Sequence, residues 1–348
     1  MDEARPAGPS DDLTVLRAEP LNCETRLSAL ADETIVPTER FYIRSHFPTP
    51  APDAAAWRLT VGGKVAVSLS LSLPEILEMS PHTMPVTLEC AGNGRSLLDP
   101  KVGGEQWGLG AVGTADWTGV PLAQILEAVG VQPAAREIVF RGADGFERSL
   151  TLDEAGNGLA LLAYAMNGEP LNGLHGYPLR LIVPGWYGMA SVKWLSEMEL
   201  IDHPFAGEFQ IDKYVFEWER GGKVVRGPVR RQLVRSVITH PADGEVVEAD
   251  ALAIRGVAWS GSSPIRSVEV SVDDSDWMEA VLLGEPVPYS WRLWELSAPL
   301  DSSVSVTIRA RATDMNGNAQ PERAEWNRAG YGNNSIQQIT VQSRGSDR

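Results

Sequence analysis

Residues 85–96 read PVTLECAGNGRS, and the rest of the chain can be placed around them. The apolar start of this stretch predicts a short buried strand that ends at Cys90, and the glycines that follow, Gly92 and Gly94, predict a tight loop. Arg95 lies five residues beyond the sulfur, and a nearby cation favours the thiolate form of a cysteine. A cysteine after a strand is more often a small buried hydrophobe than a ligand. The role of this candidate site therefore depends on the remainder of the chain.

The composition limits the classes of protein that this chain can represent. It has 348 residues, 43% of them hydrophobic, with 11 tryptophans, which is enough for two domains with substantial cores. A formal net charge of −16 disfavours binding to nucleic acid or to an anionic membrane, because both need a positive surface. The two cysteines are too few for a zinc or iron–sulfur framework.

The first residues predict a flexible tail and no targeting segment. Residues 1–12 are acidic and rich in Pro, Gly and Ala, and they lack the basic start and apolar centre of a secretory signal. No apolar run reaches the length of a membrane span. We expect a cytoplasmic protein, or a periplasmic one if a leader has been removed.

Residues 13–235 predict a first domain that mixes helices and strands. The aromatic run at residues 40–48 predicts a strand that prolines stop, and its alternation places Arg44 and His46 on one face. The clearest helix covers residues 121–129, where apolar side chains recur at helical spacing.

One glycine pattern looks like a nucleotide site. Residues 108–113 have the spacing of a dinucleotide-binding loop. Neither flank fits, because Trp107 precedes the glycines and residues 114–119 cannot form the helix that faces the phosphates. A Rossmann fold is therefore excluded. A hydrolase with Cys90 as nucleophile and a distant histidine stays open, without a local motif to support it.

Near residue 236 the pattern changes from helical stripes to strict alternation. Residues 268–272 and 304–312 alternate valine, isoleucine or alanine with polar residues, and turn residues separate such segments. Antiparallel strands over about 110 residues predict an immunoglobulin-like β-sandwich, with Trp259 in its core. The fold class is therefore α+β, with this sandwich at residues 236–348.

Five separate parts of the chain carry motifs that are specific in combination: residues 44–46 (RSH), 90–96 (CAGNGRS), Trp107, 166–180 (MNGEPLNGLHGYPLR) and 191–195 (SVKWL). Together they resemble the sulfite oxidase family of molybdenum-cofactor enzymes. Residues 259–261 and 291–294 look like the dimerisation domain of that family. The resemblance covers roughly residues 13–345, and it implies a homodimer whose first domain is a mixed α/β molybdenum-cofactor domain.

The resemblance implies a cofactor of molybdenum with molybdopterin, and Cys90 as the metal ligand from the protein. A soft sulfur ligand suits a metal that changes its oxidation state. The residues that the resemblance places around the cofactor are Ile43, Arg44, Ser45, His46, Cys90, Asp144, His175, Arg180, Ser191 and Lys193. Arg180 suits the cofactor phosphate, because a guanidinium group binds two oxygens at once.

The activity that the resemblance implies is oxidation of sulfite to sulfate by oxo transfer, with single electrons passing to an external acceptor, a cytochrome or oxygen. The catalytic residues would be Cys90, Tyr214, Arg44 and Arg95. The substrate would meet Arg44, Arg95, Trp107, Tyr214 and Arg292. Three guanidinium groups at one point are costly unless an anion lies between them, which gives substrate binding a physical reason.

The chain departs from the family at two positions, since Gly94 and Ala190 stand where vertebrate members have arginines. Both departures lower the local positive charge. A nitrate reductase or a sulfane dehydrogenase subunit of the same fold is an alternative, and Tyr214 favours sulfite over nitrate. A cofactor-free anion-binding or scaffold protein is a further alternative, although such a protein has no need for the whole set of cofactor residues.

Overall fold

A computed structural model describes residues 10–155, 158–247, 251–299 and 305–343 of the chain. A mixed domain of helices and strands is followed by a β-sandwich, so the predicted α+β class is confirmed. Residues 1–9 of the expected tail and residue 304 of the predicted alternation lie outside the described residues. Asp12 is fixed, because its carboxylate lies 2.9 Å from the guanidinium of Arg40.

The first domain consists mainly of strands, with short helices between some of them. Its strands are β1 (Leu13–Arg17), β2 (Asn22–Thr25), β3 (Leu59–Gly63), β4 (Leu69–Leu71), β5 (His82–Glu89), β6 (Val112–Pro121), β7 (Glu137–Gly142), β8 (Glu147–Thr151), β9 (Leu161–Met166), β10 (Glu169–Pro170), β11 (Arg180–Ile182), β12 (Leu195–Ile201), β13 (Val215–Arg220) and β14 (Lys223–Pro228). Its α-helices are α1 (Leu73–Leu77), α2 (Leu122–Val129), α3 (Leu152–Ala155) and α4 (Glu208–Ile211). Within the described ranges, no helix is long and apolar enough to cross a membrane.

The sheet that carries the cysteine has the order β10-β9-β6-β5, with β11 also paired to β9. Strands β5 and β6 are antiparallel over their whole length, from His82 opposite Gly119 to Glu89 opposite Val112. The predicted strand before Cys90 is therefore present and longer than expected. Strand β6 occupies the stretch where a nucleotide-binding fold needs a helix, which confirms that this is not a Rossmann domain.

A second large sheet has the order β4-β3-β12-β7-β8, and the pairs β1-β2 and β13-β14 form two small sheets of the same domain. Helix α2 buries Leu122, Ile125 and Val129 on one face, as its spacing predicts. Leu59 and Phe140 of the second sheet are completely buried in the same core cluster. Burying an apolar side chain of this size stabilises a fold by about 1.5–3 kcal/mol, so this core gives the site a rigid base.

The run at residues 40–48 does not form the predicted strand. A 3₁₀ turn covers Thr38–Arg40, and Ile43 makes only an isolated bridge to Cys23. The irregular backbone lets consecutive side chains face the same cavity, as described below, which the alternation of a strand forbids.

The predicted sandwich is confirmed, but its tryptophans are arranged differently. Its strands are β15 (Arg235–His240), β16 (Val246–Val247), β17 (Ala251–Trp259), β18 (Ile265–Val272), β19 (Met278–Glu279), β20 (Val281–Leu282), β21 (Arg292–Pro299), β22 (Val306–Asp314) and β23 (Gln337–Ser343). The two sheets have the orders β15-β17-β21-β20 and β16-β23-β22-β18-β19. Trp294 lies in the core between them. Trp259, expected there, ends β17 and packs with Trp117 and Trp291 where the two domains meet.

Candidate active site

Two cavities meet at Cys90. The inner cavity, about 700 Å³ of space partly open to solvent, is lined by residues 41–46, Leu88, Cys90, Ala91, Asp144, Phe146, Leu174, His175, Arg180, residues 188–189, residues 191–194 and Tyr214. The outer cavity, about 1180 Å³ including open solvent, is lined by Arg17, Arg44, His46, Cys90, Gly92, Arg95, residues 103–105, Trp107, Lys213, Tyr214, Glu217, residues 328–329 and Tyr331. Both cavities are lined by Arg44, His46, Cys90 and Tyr214, so these four side chains separate the two spaces.

The loop that follows β5 presents Cys90 by backbone hydrogen bonds. The amide of Cys90 donates to the carbonyl oxygen of Ala111 at 2.9 Å, and the amide of Asn93 donates to that of Cys90 at 2.9 Å. A Cβ at Gly92 would lie 2.6 Å from Nη1 of Arg95, so a side chain there would displace the guanidinium. The glycine therefore lets Arg95 fold back over the loop.

The protonation of Cys90 is governed by burial. The thiol is 7% exposed, and burial raises its pKa, while Arg44 and Arg95 act in the opposite direction. Arg95 favours the thiolate, as expected, but burial outweighs it, so the pKa of Cys90 is raised in the protein alone. A metal ion at the sulfur would supply the missing positive charge.

The inner cavity contains buried cations that make no direct contact with a carboxylate in the part of the chain that the structure describes. Arg180 donates through Nη1 to the carbonyl oxygen of His175 at 2.9 Å and through Nη2 to that of Ser191 at 3.2 Å, and its Nε has no partner among the described residues. Lys193 donates to Ser45 Oγ and to the carbonyl oxygen of Leu174, both at 2.9 Å. An uncompensated buried cation is costly, so the cavity is suited to an anionic ligand.

The pKa values of Lys193 and His175 record the same excess of positive charge, and that of Arg180 records its burial. Burial lowers the pKa of Arg180 to about 10 and that of Lys193 well below its usual range. The pKa of His175 falls to about 3, first because of burial and then because of Lys193 and Arg180. His175 is therefore neutral at physiological pH, and Asp144 is the acid that partly offsets Lys193.

Arg44, His46 and Tyr214 form a chain of contacts between the two cavities. Nη2 of Arg44 lies 2.9 Å from Nδ1 of His46, and Nε2 of His46 lies 2.6 Å from the hydroxyl of Tyr214. Burial and then Arg44 lower the pKa of His46 to about 3, and burial raises the pKa of Tyr214. Tyr214 also has a φ of +54°, a conformation that bulky residues rarely adopt outside functional sites.

The outer cavity is positive although the chain as a whole is acidic. Its basic side chains are Arg17, Arg44, Arg95, Lys213 and Arg328, and its acidic ones are Glu105 and Glu217. Arg95 is 6% exposed, and its guanidinium donates to the carbonyl oxygens of Ala329 and Glu105. Since no acidic side chain contacts it among the described residues, its charge remains available to an anion in the cavity.

Comparisons with known proteins agree with this geometry. Residues 46–209 match the family described as the oxidoreductase molybdopterin binding domain, and residues 229–344 match the Mo-co oxidoreductase dimerisation domain. Sulfite oxidase of Arabidopsis thaliana is 33% identical, over 94% of this chain and 93% of that protein. The chain belongs to the sulfite oxidase family. The match confirms the expected cofactor, molybdenum with molybdopterin, for the first domain.

Other relatives show how far the family likeness extends. Mitochondrial sulfite oxidase of Mus musculus is 33% identical over 95% of this chain, and the chain spans 65% of that relative. The crystal structure of the sulfane dehydrogenase SoxCD from Paracoccus pantotrophus superposes with a TM-score of 0.86 at 28% identity, covering 98% of this chain and 92% of that one. NADH nitrate reductase of Solanum lycopersicum is 29% identical over 90% of this chain, and the matched part is 39% of that relative.

The cofactor residues that the sequence predicts come together in one place. All ten line the inner cavity: Ile43, Arg44, Ser45, His46, Cys90, Asp144, His175, Arg180, Ser191 and Lys193. The unpartnered Nε of Arg180 and the cations without carboxylate contacts fit a molybdopterin phosphate. Their individual roles stay predictions that the experiments below can test.

The predicted substrate residues come together except for one. Arg44, Arg95, Trp107 and Tyr214 line the outer cavity, whereas Arg292 lines neither cavity. Arg292 opens β21, and its guanidinium donates to the carbonyl oxygen of Gly284 within the sandwich. The expectation that Arg292 reaches the site is therefore wrong for this structure.

The sandwich contributes to the site through a different segment, which the sequence reasoning missed. Arg328 and Tyr331 lie in a loop that Asn327 closes, because its side chain donates to and accepts from the backbone of Tyr331 at 2.8 and 3.1 Å. The ring of Tyr331 stacks on that of Tyr214 at 5.2 Å and lies 5.2 Å below the guanidinium of Arg95. No motif marks this loop in the sequence. Its one signal is the set of asparagines and glycines at residues 327–334, which is typical of an ordered turn.

Proposed function

We propose that this protein oxidises sulfite to sulfate with molybdenum and molybdopterin. The observation that carries the proposal is the position of Cys90, which lies between a cavity whose buried cations are only partly offset by Asp144 and an open, positively charged cavity. The first suits the anionic cofactor, and the second suits a small anionic substrate. Sequence relatives called sulfite oxidase support the same substrate class.

The cofactor, when bound, supplies oxo transfer coupled to a two-electron change of the metal. Cys90 is the ligand that the protein adds through its sulfur. Arg180, Lys193 and the neutral ring of His175 hold the anionic end of the cofactor by charge and hydrogen bonds. Together they fix the orientation of the metal site relative to the outer cavity.

Substrate binding falls to the arginines where the cavities meet. Arg44 and Arg95 attract the dianion and orient its oxygens, and the surrounding basic side chains raise the local concentration of anions. In the reaction sulfite and water give sulfate, two protons and two electrons. Arg44 donates to Nδ1 of the neutral His46, so Nε2 carries the ring proton and donates to the Tyr214 hydroxyl at 2.6 Å, which holds that hydroxyl where the two cavities meet. The electrons pass to an external acceptor, a cytochrome or oxygen.

Purified protein from a molybdenum-replete host tests the proposal. We expect about one molybdenum per chain and sulfite-dependent reduction of ferricyanide or cytochrome c. A metal-free protein would contradict the whole proposal. A molybdenum-loaded protein that is inert with sulfite but reduces nitrate would contradict only the substrate.

A sulfane dehydrogenase subunit is the second candidate, because the SoxCD structure superposes over 98% of this chain. It is distinguished by the same assay with a sulfane-sulfur donor in place of sulfite. Turnover of the sulfane donor alone would favour this candidate over the first.

We infer that two copies of the chain assemble through the sandwich domain. The inference is supported by the family match of residues 229–344, which carries the name of a dimerisation domain. Light scattering after size-exclusion chromatography is expected to give twice the chain mass of 37.8 kDa. A monomer at micromolar concentration would contradict it.

A further inference from the structure

The strand that carries the cysteine ends on a buried carboxylate. Glu89, next to Cys90, is 2% exposed. Its Oε1 accepts hydrogen bonds from Asn93 Nδ2 and Arg235 Nη1, both at 3.1 Å, and its Oε2 accepts one from Trp259 Nε1 at 2.9 Å. Two of these three donors belong to the sandwich domain. The carboxylate therefore joins the cysteine loop to the second domain.

Arg235 also holds the backbone of the loop. Its Nη1 donates to the carbonyl oxygen of Asn93 at 3.2 Å, and the amide of Asn93 donates to that of Cys90 at 2.9 Å. Gly94 has a φ of +82°, and a Cβ there would lie 2.6 Å from Nη2 of Arg235. The guanidinium thus occupies the space that a side chain at Gly94 would need.

The pair of Glu89 and Arg235 is unlike the exposed ion pair of Asp32 and Arg255, which also joins the two domains. Glu89 and Arg235 are 2% and 3% exposed, whereas Asp32 and Arg255, 2.5 Å apart, are 61% and 37% exposed and do not touch the loop. A buried pair gains little net stability, because desolvation offsets the attraction of its charges, and its best-supported use is to select one geometry. The geometry selected here is that of the residue next to the sulfur.

We propose that Arg235 is a positioning residue for Cys90. Through Glu89 and the turn at Asn93 and Gly94, it fixes the direction in which the sulfur faces the molybdenum. The inference rests on the proposed role of Cys90 as metal ligand. It follows that the sandwich domain, which supplies Arg235 and Trp259, controls the metal–sulfur bond within its own chain.

The test compares holoenzymes by the visible absorption of the sulfur–molybdenum bond, together with molybdenum content, kcat and thermal stability. Arg235→Gln is expected to keep molybdenum within about twofold of the unchanged protein, to shift the absorption band and to lower kcat by about 10- to 100-fold, as loss of other outer-shell partners does. Arg255→Gln breaks the exposed interdomain pair and is the matched control. It is expected to leave the band and kcat unchanged.

A second variant separates positioning from stability. Glu89→Gln with Arg235→Gln removes both buried charges, so it is expected to recover the thermal stability that Arg235→Gln loses. Because the guanidinium is still missing, its absorption band is expected to stay shifted. This variant decides the matter if Arg235→Gln does not fold.

A wild-type absorption band and kcat in either Arg235 variant, whatever its thermal stability, would overturn the inference. A protein that holds molybdenum but does not oxidise sulfite would contradict the proposed function and leave the absorption test intact. If Cys90→Ser leaves the band of the bound metal unchanged, the ligand role itself fails, and this result is distinct from both.

Discussion

The inner and outer cavities share Cys90, but they are built in different ways. The inner cavity is lined mainly by short continuous segments, residues 41–46, 188–189 and 191–194, and its cations are buried and held by carbonyl oxygens. The outer cavity takes single residues from distant parts of the chain, such as Lys213 and Arg328, whose side chains are 54% and 81% exposed. We therefore expect the inner cavity to determine cofactor content and the outer cavity to determine the affinity for substrate.

The largest effect is expected from the inner cavity at Arg180. Arg180→Gln removes two charge-assisted hydrogen bonds, each worth about 1.5–3 kcal/mol, and leaves the cofactor phosphate without its main cation. Molybdenum and pterin content of the purified protein should fall by at least about tenfold. Arg220→Gln, which breaks an exposed ion pair with Glu325, is the control. Full cofactor content in Arg180→Gln would contradict the expectation that the inner cavity determines how much cofactor the protein holds.

A smaller and different effect is expected from Arg95 of the outer cavity. Arg95→Gln removes a buried guanidinium from the substrate side, so KM for sulfite should rise by about 10- to 100-fold, as expected for a lost charged hydrogen bond. The molybdenum content should stay unchanged, because Arg95 does not line the inner cavity. Steady-state kinetics with metal analysis checks both values. Loss of metal with an unchanged KM would reverse the assignment of the two cavities.

The inner cavity should also show in the pH dependence of stability. The pKa of His175 is about 3 in the folded protein against 6.5 for an unperturbed histidine, so the unfolded chain binds more protons between these values. The contribution of His175 to stability is therefore complete above pH 6.5 and falls by up to about 1.4 kcal/mol per unit as the pH drops towards 3.

Urea denaturation at pH 7 and pH 5 measures this effect. His175→Gln is expected to lose less stability between the two pH values than the unchanged protein does. His203→Gln, at an exposed surface position, serves as the control. Equal losses in His175→Gln and the unchanged protein would contradict a buried neutral His175.

The smallest effect is expected at the rim of the outer cavity. Arg328→Gln should raise KM for sulfite by no more than about threefold, because an exposed charge is screened by salt. The dependence of kcat/KM on ionic strength should become shallower, since the rim loses part of the field that attracts the anion. An effect as large as that of Arg95→Gln would show that the rim binds substrate directly.

The same difference explains what the sequence could predict. The cofactor residues lie in short motifs with local spacing, such as residues 44–46 and 191–195, so all ten residues predicted from the chain line the inner cavity. The outer cavity depends on how the sandwich closes over the first domain, which local patterns do not encode. Arg292 was placed there in error, and Arg328 and Tyr331 were missed.

The fold shows the same limit at the level of single elements. Helix α2 and strand β5 follow from strong local periodicity. Residues 40–48 have the sequence pattern of a strand, but their backbone is irregular. The tertiary packing that places residues 41–46 around the inner cavity overrides their local preference for a strand. Trp259 is buried at the boundary between the domains and not inside the sandwich, for a related reason. Its indole donates a hydrogen bond to Glu89 of the first domain, a contact that local patterns do not encode.

The central claim is that Cys90 binds molybdenum through its sulfur at the point where the two cavities meet. Cys90→Ser tests it most directly. Sulfite-dependent cytochrome c reduction, measured per molybdenum in the purified variant, should fall below detection, while circular dichroism shows an unchanged fold. Turnover close to that of the unchanged protein would contradict the account.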